Sequence, residues 1–507
     1  CSGCQLFLPS FSCGFPPAWY FTGSATTCCL WASNTLLIEA LIAAPFKVCH
    51  ELISLKTDSH ALDNDTIVAI ATPSGRGGIC VIRLSGPAAK TIGEHITQRP
   101  LTPRTPIFSR FFDQNNMAID EGIVLNFVGP ASFTGEDVTE LHGHGGVIIA
   151  NMLLEICLNA GARLARPGEF SERAFLNNKM DLTQAEGLAD LIDAPTRRAA
   201  RQASASLRGD FSTAVTDIAA QLIQLRVYIE AAIDFPEEEI DFLAEGKVTE
   251  SLSALQNTLH RLLVSARQGA LMNRGAQIVI TGVPNAGKSS LLNCLANDDI
   301  AIVTNIPGTT RDVIRQTITV HGIAIEFSDT AGIRDARDEI EKEGIYRAHN
   351  ELHRADIIVE VIDDTATNTA TVITPSETPS ICVYNKIDLS GRPAGTFDSD
   401  LTHGNAVGVS ATTGEGIAAL KQLIVECLGL TDTGMTSAFS ARERHVVALQ
   451  QTTELLEQAI TQFNATGEGE LLAEDLRVVH ERLGIITGTF GADDLLGEIF
   501  ASFCIGK

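Results

Sequence analysis

The sequence is short of positive charge, of aromatic residues and of paired cysteines, and each shortage excludes something. Lys and Arg number 37 against 62 Asp and Glu, a formal net charge of −25 over 507 residues. That balance argues against a broad basic surface that grips nucleic acid by charge alone, while leaving room for a local basic patch. The two tryptophans, Trp19 and Trp31, both lie in the first fifty residues, and so do six of the 12 cysteines (Cys1, Cys4, Cys13, Cys28, Cys29 and Cys49). The other cysteines are scattered singly with no CxxC pair, so the body of the chain reads as reduced and cytoplasmic. CSGC at the start has half the spacing of a zinc ribbon, but no second pair follows at the required distance. Long apolar runs are missing too: the most apolar stretch, TLLIEALIAAPF, is interrupted by Glu39 and Pro45 and is too short to span a bilayer.

Residues 1–62 have no charge before Glu39, hence neither the basic start of a secretory signal nor the arginines of a transit peptide. They are expected to be an appendage outside the fold, such as translated upstream sequence. The competing reading is a membrane-associating or metal-binding extension.

The chain as a whole has the 45% apolar and 20% charged content of a soluble globular protein, and its 507 residues suggest about three domains. DTIVAIAT and GGICVIRLSG read as strands within an α+β region. From Leu182 apolar residues recur at helical spacing (Leu182, Ala185, Leu188, Ala189, Ile192) as far as about Asn273, with a break at Pro236. From Gly275 short strands alternate with helices: QIVITG, AIEFSDTAG, ADIIVEVID, SICVYNKID and AVGVSA. That alternation predicts a doubly wound, mostly parallel sheet. Beyond Leu430 helical spacing resumes, with Val446, Leu449, Leu456, Ile460 and Phe463 on one face. The pattern predicts an α/β unit inserted into a helical domain; a separate C-terminal bundle is the other arrangement it allows.

GVPNAGKSS follows a strand and opens a helix, the setting of a phosphate loop. Gly282 and Gly287 let backbone N–H groups turn inward, Lys288 supplies charge at the β- and γ-phosphates, and Ser289 can hold Mg²⁺. Asp329 in DTAG can order a metal-bound water, and the amide of Gly332 can meet the γ-phosphate. Asp388 in NKID can accept guanine N1–H and N2–H₂, which adenine does not offer, while Asn385 and Lys386 brace the base. Ser410 and Ala411 in VSA can give an amide to guanine O6. In this order, each at the carboxyl end of a strand, the motifs specify GTP rather than ATP.

Where many small GTPases carry a water-orienting Gln after DTAG, this chain has Ile333. Asn285 and the loop TNIPGTTRD could instead cage a monovalent cation beside the phosphates, standing in for an arginine finger. The acidic run DARDEIEKEG also follows. On composition alone it reads as a solvated helix face.

The long stretches ATPSGRGG, FTGEDVTELHGHGG, ARPGEFSERAFLNNKMDLTQAE, EAAIDFPEEEIDF, GTTRD and the terminal CIGK resemble the MnmE (TrmE) family of tRNA-modification GTPases over about residues 63–507. The resemblance implies a Ras-like P-loop GTPase domain (274–430) inserted into an α-helical domain (181–273 and 431–507), after an N-terminal α+β domain (63–180) that binds tetrahydrofolate and dimerises. It implies Mg²⁺ ligands at Ser289 and Thr310. It implies a K⁺ cage from Asn285, Thr304, Ile306 and Thr309, and a water-orienting carboxylate at Glu341. The GTP-contacting set extends over Asn285, Ala286, Gly287, Lys288, Ser289 and Ser290, then Thr304, Asn305, Ile306, Pro307, Gly308, Thr309 and Thr310. It continues with Asp329, Thr330, Ala331 and Gly332, and closes with Asn385, Lys386, Asp388, Ser410 and Ala411. Arg83, Glu140, Lys179 and Lys507 match folate-contacting positions. Arg or Lys suits the carboxylates of the glutamyl tail, and a carboxylate suits the guanine-like edge of the pterin.

The tail FCIGK departs from a prenylation box, since it ends in Lys and has Gly at an aliphatic position. The resemblance takes it to the folate site and makes Cys504 essential for modification but not for GTP hydrolysis; a small buried hydrophobe is the competing role. The implied function is potassium-activated GTP hydrolysis by a homodimer working with the FAD-dependent protein MnmG (GidA). The one-carbon unit of 5,10-methylene-tetrahydrofolate (the 5-formyl form binding as well) goes to C5 of uridine 34 in certain tRNAs, and an aminomethyl-type substituent results. Two other classes remain: a ribosome-assembly GTPase, and a folate-binding regulator with a vestigial GTPase.

Overall fold

A computed structural model describes residues 65–73, 75–234, 247–297, 315–329, 352, 354–366, 378–397, 405–430, 439–489, 499–501, 503 and 506. The N-terminal region is a six-stranded sheet in the order β3-β4-β5-β2-β1-β6. Its strands are β1 (Ile67–Ile70), β2 (Ile79–Ser85), β3 (Ile107–Phe112), β4 (Ala118–Phe127), β5 (Val138–His144) and β6 (Arg163–Leu164). Neighbours pair antiparallel except β1 with β6. The period of two along β2 sends Cys80, Ile82 and Leu84 into one core and Arg83 to the other face. On the first face lie α1 (Ala89–Thr97) and α2 (Val147–Asn159), contributing Ile92, Ile96, Leu153 and Cys157. On the second, Phe170 of α3 (Glu169–Leu176) packs with Ile67 and Ala69.

Next come α4 (Leu182–Asp193), α5 (Arg197–Leu207), α6 (Asp210–Asp234) and α7 (Lys247–Arg274). Asp181 caps α4 in a reciprocal box with Gln184, and the Thr196 hydroxyl accepts from Ala199 N to cap α5. After the nucleotide-binding sheet, α11 (Glu443–Thr466) and α12 (Gly469–Gly484) follow. One hydrophobic core draws on both groups of helices: Leu222, Leu259, Leu449 and Leu476 come from α6, α7, α11 and α12 in turn. Phe211 and Phe439 stack at 4.6 Å where the chain re-enters this core.

That re-entry is held by buried charge. Arg444 grips Glu186 of α4 with two hydrogen bonds, and also donates to the carbonyl of Ile486 at 3.1 Å. Arg442 donates to Asp190 at 2.7 Å, and the Ser440 hydroxyl donates to the same carboxylate at 3.1 Å. The adjoining stripe of α4 packs Leu182, Ala185 and Ala189 against Ile499, Phe500 and Phe503 of the C-terminal segment.

Between α7 and α11 lies a seven-stranded sheet in the order β12-β13-β11-β10-β7-β9-β8. Its strands are β7 (Ala276–Thr281), β8 (Arg315–Val320), β9 (Ile323–Asp329), β10 (Ile357–Asp363), β11 (Ser380–Asn385), β12 (Gly395–Phe397) and β13 (Ala406–Val409). The five inner strands are parallel and read as near-continuous Ile/Val runs, as strands covered on both faces do. The edge strands β8 and β12 pair antiparallel. The helices of this region are α8 (Lys288–Asn297), the short α9 (Ile387–Ser390) and α10 (Ile417–Cys427). Only Gly275, at φ 80°, separates α7 from β7. Asp356 braces this joint, accepting from both terminal nitrogens of Arg274 (3.0 and 2.6 Å) and from Gln277 N (2.9 Å).

Candidate functional site

The phosphate loop leaves β7 in a backbone shape that L-residues resist. Gly282 has φ 139° and Gly287 has φ 95°, and Asn285 itself sits at φ 64°. A Cβ on Gly282 would lie 2.3 Å from the carbonyl oxygen of Val361, and one on Gly287 would lie 2.2 Å from Nδ2 of Asn385. Both glycines are therefore demanded by close approach as well as by φ. Lys288 opens α8, and its ammonium donates to the carbonyls of Gly282 and Val283 at 3.0 Å each, which draws it across the loop. The start of α8 adds its dipole to this donor-rich concavity. Ser289 and the side chain of Asn285 are exposed. Their oxygens suit hard cations: Mg²⁺ at the serine hydroxyl, K⁺ at the amide.

Strand register places the base side level with the phosphate side. Asp363 faces Asn385 across β10 and β11, and Asn385 faces Val409 across β11 and β13. Asn385 is buried and bridges two loops, Nδ2 donating to the Ala286 carbonyl at 2.9 Å and Oδ1 accepting from Ala411 N at 3.1 Å. The Ser410 hydroxyl donates to Oδ1 of Asp388 at 2.7 Å. Each carboxylate oxygen has two lone pairs, so the acceptor pair a guanine edge needs is retained. The amides of Ser410 and Ala411 are both engaged within the protein, the first by the Glu415 carbonyl and the second by Asn385.

Lys386, at φ 68°, reaches back to Oδ2 of Asp363 at 2.5 Å. That bond, helped by Thr365, holds the Asp363 carboxyl down at about 2. Asp363 was not foreseen from the sequence. The signal was a carboxylate ending the strand that precedes the NKID strand, at the position level with Asn385.

Asp329 closes β9, and its backbone is level with Ile280 of β7, beside the phosphate loop. Thr304 to Thr310, Thr330 to Gly332, Ile333, Glu341, Cys504 and Lys507 lie outside the described residues.

In the N-terminal sheet Arg83 and Glu140 are directly opposite across β2 and β5, and Nε of Arg83 donates to Oε1 of Glu140 at 2.9 Å. The guanidinium also lies over the rings of Phe133 and Phe170 at 5.3 and 5.9 Å. His142 stands 3.2 Å from Oε2 of the same glutamate. Lys179 is exposed, with Cγ 3.3 Å from where a Cβ on Gly135 would stand, so it borders the loop that carries Phe133. Gly506 abuts the backbone of Ile70 and Ala71 at the end of β1, the strand paired with β2. Phe133, Phe170 and His142 complete a group in which a cation, a carboxylate and two aromatic faces converge. The first two of these lie in motif stretches that gave no reason to single them out.

Among the described residues no cluster of His, Cys, Asp and Glu could hold a metal by itself, and no helix is long and apolar enough to cross a membrane.

Comparison with known proteins agrees with this arrangement. Residues 66–179 match the profile of the GTP-binding protein TrmE N-terminus, and residues 182–504 match that of the MnmE helical domain. The chain is 52% identical over 453 residues to the tRNA modification GTPase MnmE of Chromohalobacter salexigens, covering 87% of this chain and 98% of that protein. It is 49% identical to that of Nitrosomonas eutropha, over 88% of this chain and all of that protein. Among solved structures, the G domain of the T. maritima FeoB iron transporter is 25% identical over 30% of this chain and 98% of its own, with a TM-score of 0.22. With two family profiles spanning the sheet and helical regions, and about half of all positions shared with full-length relatives, the chain belongs to the MnmE family of tRNA modification GTPases.

Proposed function

We propose that this chain is a GTPase of tRNA modification whose phosphate loop and guanine loop act as one preformed receptor. The observation that carries this is Asn385, which ties Ala286 to Ala411 and so fixes the distance between the triphosphate end and the base end of the site. Lys288 and the α8 amides take the phosphates, Asp388 reads the guanine edge, and the Lys386–Asp363 pair keeps the strand ends from splaying. Ser289 and Thr310 would hold Mg²⁺. Asn285 with Thr304, Ile306 and Thr309 would hold K⁺, which supplies the positive charge an arginine finger gives elsewhere. Glu341 orients the attacking water.

The N-terminal group takes a tetrahydrofolate derivative, with Arg83, Lys179 and Lys507 toward its carboxylates and Glu140 toward its pterin. Arg83 and Glu140 must then exchange their mutual bond for bonds to ligand, which costs little because both partners remain paired. The one-carbon unit goes to C5 of wobble uridine 34 in tRNA, in a homodimer working with MnmG in the cytoplasm. Closure of two G domains excludes water and sharpens the field of the cation.

Steady-state GTP turnover in potassium and in sodium tests the hydrolytic half. Faster turnover in potassium alone, lost in Glu341→Ala, is expected; equal rates in both salts would refute the cation role. Cys504→Ser tests the division of labour, with GTP turnover kept and uridine-34 modification lost.

A further inference from the structure

Many of the described arginines outside α5 are paired internally: Arg83, Arg163, Arg173, Arg392, Arg442 and Arg444 each contact a carboxylate within 4.0 Å. Helix α5 departs from this. Residues 194–209 hold Arg197, Arg198, Arg201 and Arg208 and not one Asp or Glu, in a chain whose net charge is −25. Among the described residues no carboxylate is in ion-pair reach of Arg197, Arg198 or Arg201, and Arg208 has only Asp210 at 3.3 Å.

The phase of the helix decides where these charges point. At about 100° per residue, Arg197, Arg201, Ser204 and Arg208 fall within a sector of roughly 60°. Ala199, Gln202, Ala203, Ala205 and Ser206 are buried on the other side. That side is fastened: the Ser206 hydroxyl donates to the Ser440 carbonyl at 2.9 Å, and Ser440 N donates to the Gln202 carbonyl at 3.2 Å. The helix cannot turn its arginines inward, so Arg197, Arg201 and Arg208 stand exposed in a row about 16 Å long. Nη1 of Arg208 donates to the Ser204 hydroxyl at 3.2 Å, which steadies the end of the row. Arg198 leaves the row and lies beside Gly322, in the β8–β9 turn of the nucleotide-binding sheet, its Cβ 3.6 Å from where a Cβ on that glycine would stand.

A fixed row of exposed guanidinium groups, of which only Arg208 has a carboxylate beside it among the described residues, is matched by a polyanion with evenly spaced oxyanions, because each planar fork takes a phosphate with two parallel hydrogen bonds. We propose that the outward face of α5, through Arg197, Arg201 and Arg208, is a docking surface for the phosphate backbone of the tRNA substrate. The proposal rests on the tRNA reading given above and adds a place on this chain where that substrate sits. It also puts the RNA near the turn that Arg198 lies beside, so bound RNA and the nucleotide sheet would be neighbours.

The test uses the full chain and a fluorescently labelled, unmodified tRNA transcript, with binding followed by anisotropy at several ionic strengths. The double variant R197E/R201E is compared with R261E/R482E, which makes the same charge change on exposed arginines of α7 and α12. The α5 variant is expected to bind at least about 10-fold more weakly, and its dependence of log affinity on log salt is expected to flatten by about two. Its GTP turnover and melting midpoint should match the parent, and the control pair should bind nearly as the parent does. Equal binding by parent and α5 variant, or equal loss in the control pair, would overturn the surface while leaving the tRNA reading standing. A parent that hydrolyses GTP but binds no tRNA would overturn both. Displacement of tRNA by poly-glutamate, but not by unrelated RNA, would assign the row to an acidic protein and overturn it as an RNA contact.

Discussion

Glu186 and Arg444 meet through two parallel hydrogen bonds of 2.7 Å, Nε to Oε1 and Nη2 to Oε2, in an interface that leaves the glutamate 1% exposed. His445 stands beside them. Its Nδ1 accepts from Arg442 N at 3.0 Å, so the ring proton is on Nε2, which lies 2.8 Å from the glutamate without the alignment of a hydrogen bond. Burial pushes this imidazole toward the neutral form.

Removing the charge from Glu186 alone leaves the partly buried guanidinium of Arg444 without its counter-ion. Glu186→Gln is therefore expected to destabilise the chain by about 3 kcal/mol, read as a lower urea midpoint. Replacing Glu186 and Arg444 together by Met should cost less than the single change, because no orphaned charge remains.

The same pair predicts how stability depends on acid. Burial works against the Glu186 carboxylate, but His445 and Arg444 overcome it and hold the group at about 2, below its ordinary 4.5. A depressed carboxyl contributes stability in full above about pH 4.5 and loses it as pH falls through about 2. His445, depressed by burial, adds a loss that begins as pH drops below its ordinary 6.5. Urea midpoints of the parent should therefore fall steadily on acidification, and Glu186→Gln should flatten the lower part of that curve.

Gly287→Ala would set a methyl 2.2 Å from Nδ2 of Asn385 at a φ of 95°. Asn385 must move, which frees Ala286 and Ala411 together. Titration with a fluorescent guanine nucleotide should show binding lost at both ends of the site, while the melting midpoint falls by only a few degrees.

Asp388→Asn reverses one half of the guanine contact proposed above, replacing an acceptor by an amide donor. GTP affinity should drop by roughly 100-fold, the worth of about two charge-assisted bonds. Xanthine nucleotides, which present an oxygen where guanine has its amino group, should bind better than to the parent.

The nucleotide side was legible in the sequence because its chemistry is local. GVPNAGKSS, NKID and VSA each sit on a strand end, a placement that the flanking apolar runs already indicate. The Arg83–Glu140 pair was readable only by resemblance, since 57 residues separate partners that strand register makes adjacent. Asp363, Phe133 and the Glu186–Arg444 clamp escaped for the same physical reason: each depends on a contact between distant segments, to which periodicity is blind. The edge strands β8 and β12 escaped for another. RQTITV and GTF carry too few apolar residues to stand out from loops.

Gly275 is the entire connection between a 28-residue helix and β7, an inner strand of the nucleotide sheet. At 1.5 Å per residue that helix is about 42 Å long, so a tilt of about 10° at the glycine sweeps its far end by roughly 7 Å. Because Asp356 clamps Arg274 and Gln277 on either side of the joint, torque from the sheet passes along the helix axis instead of dissipating in a slack tether. A twist set by the state of the triphosphate would thus be magnified into a stroke at the remote tip of the bundle.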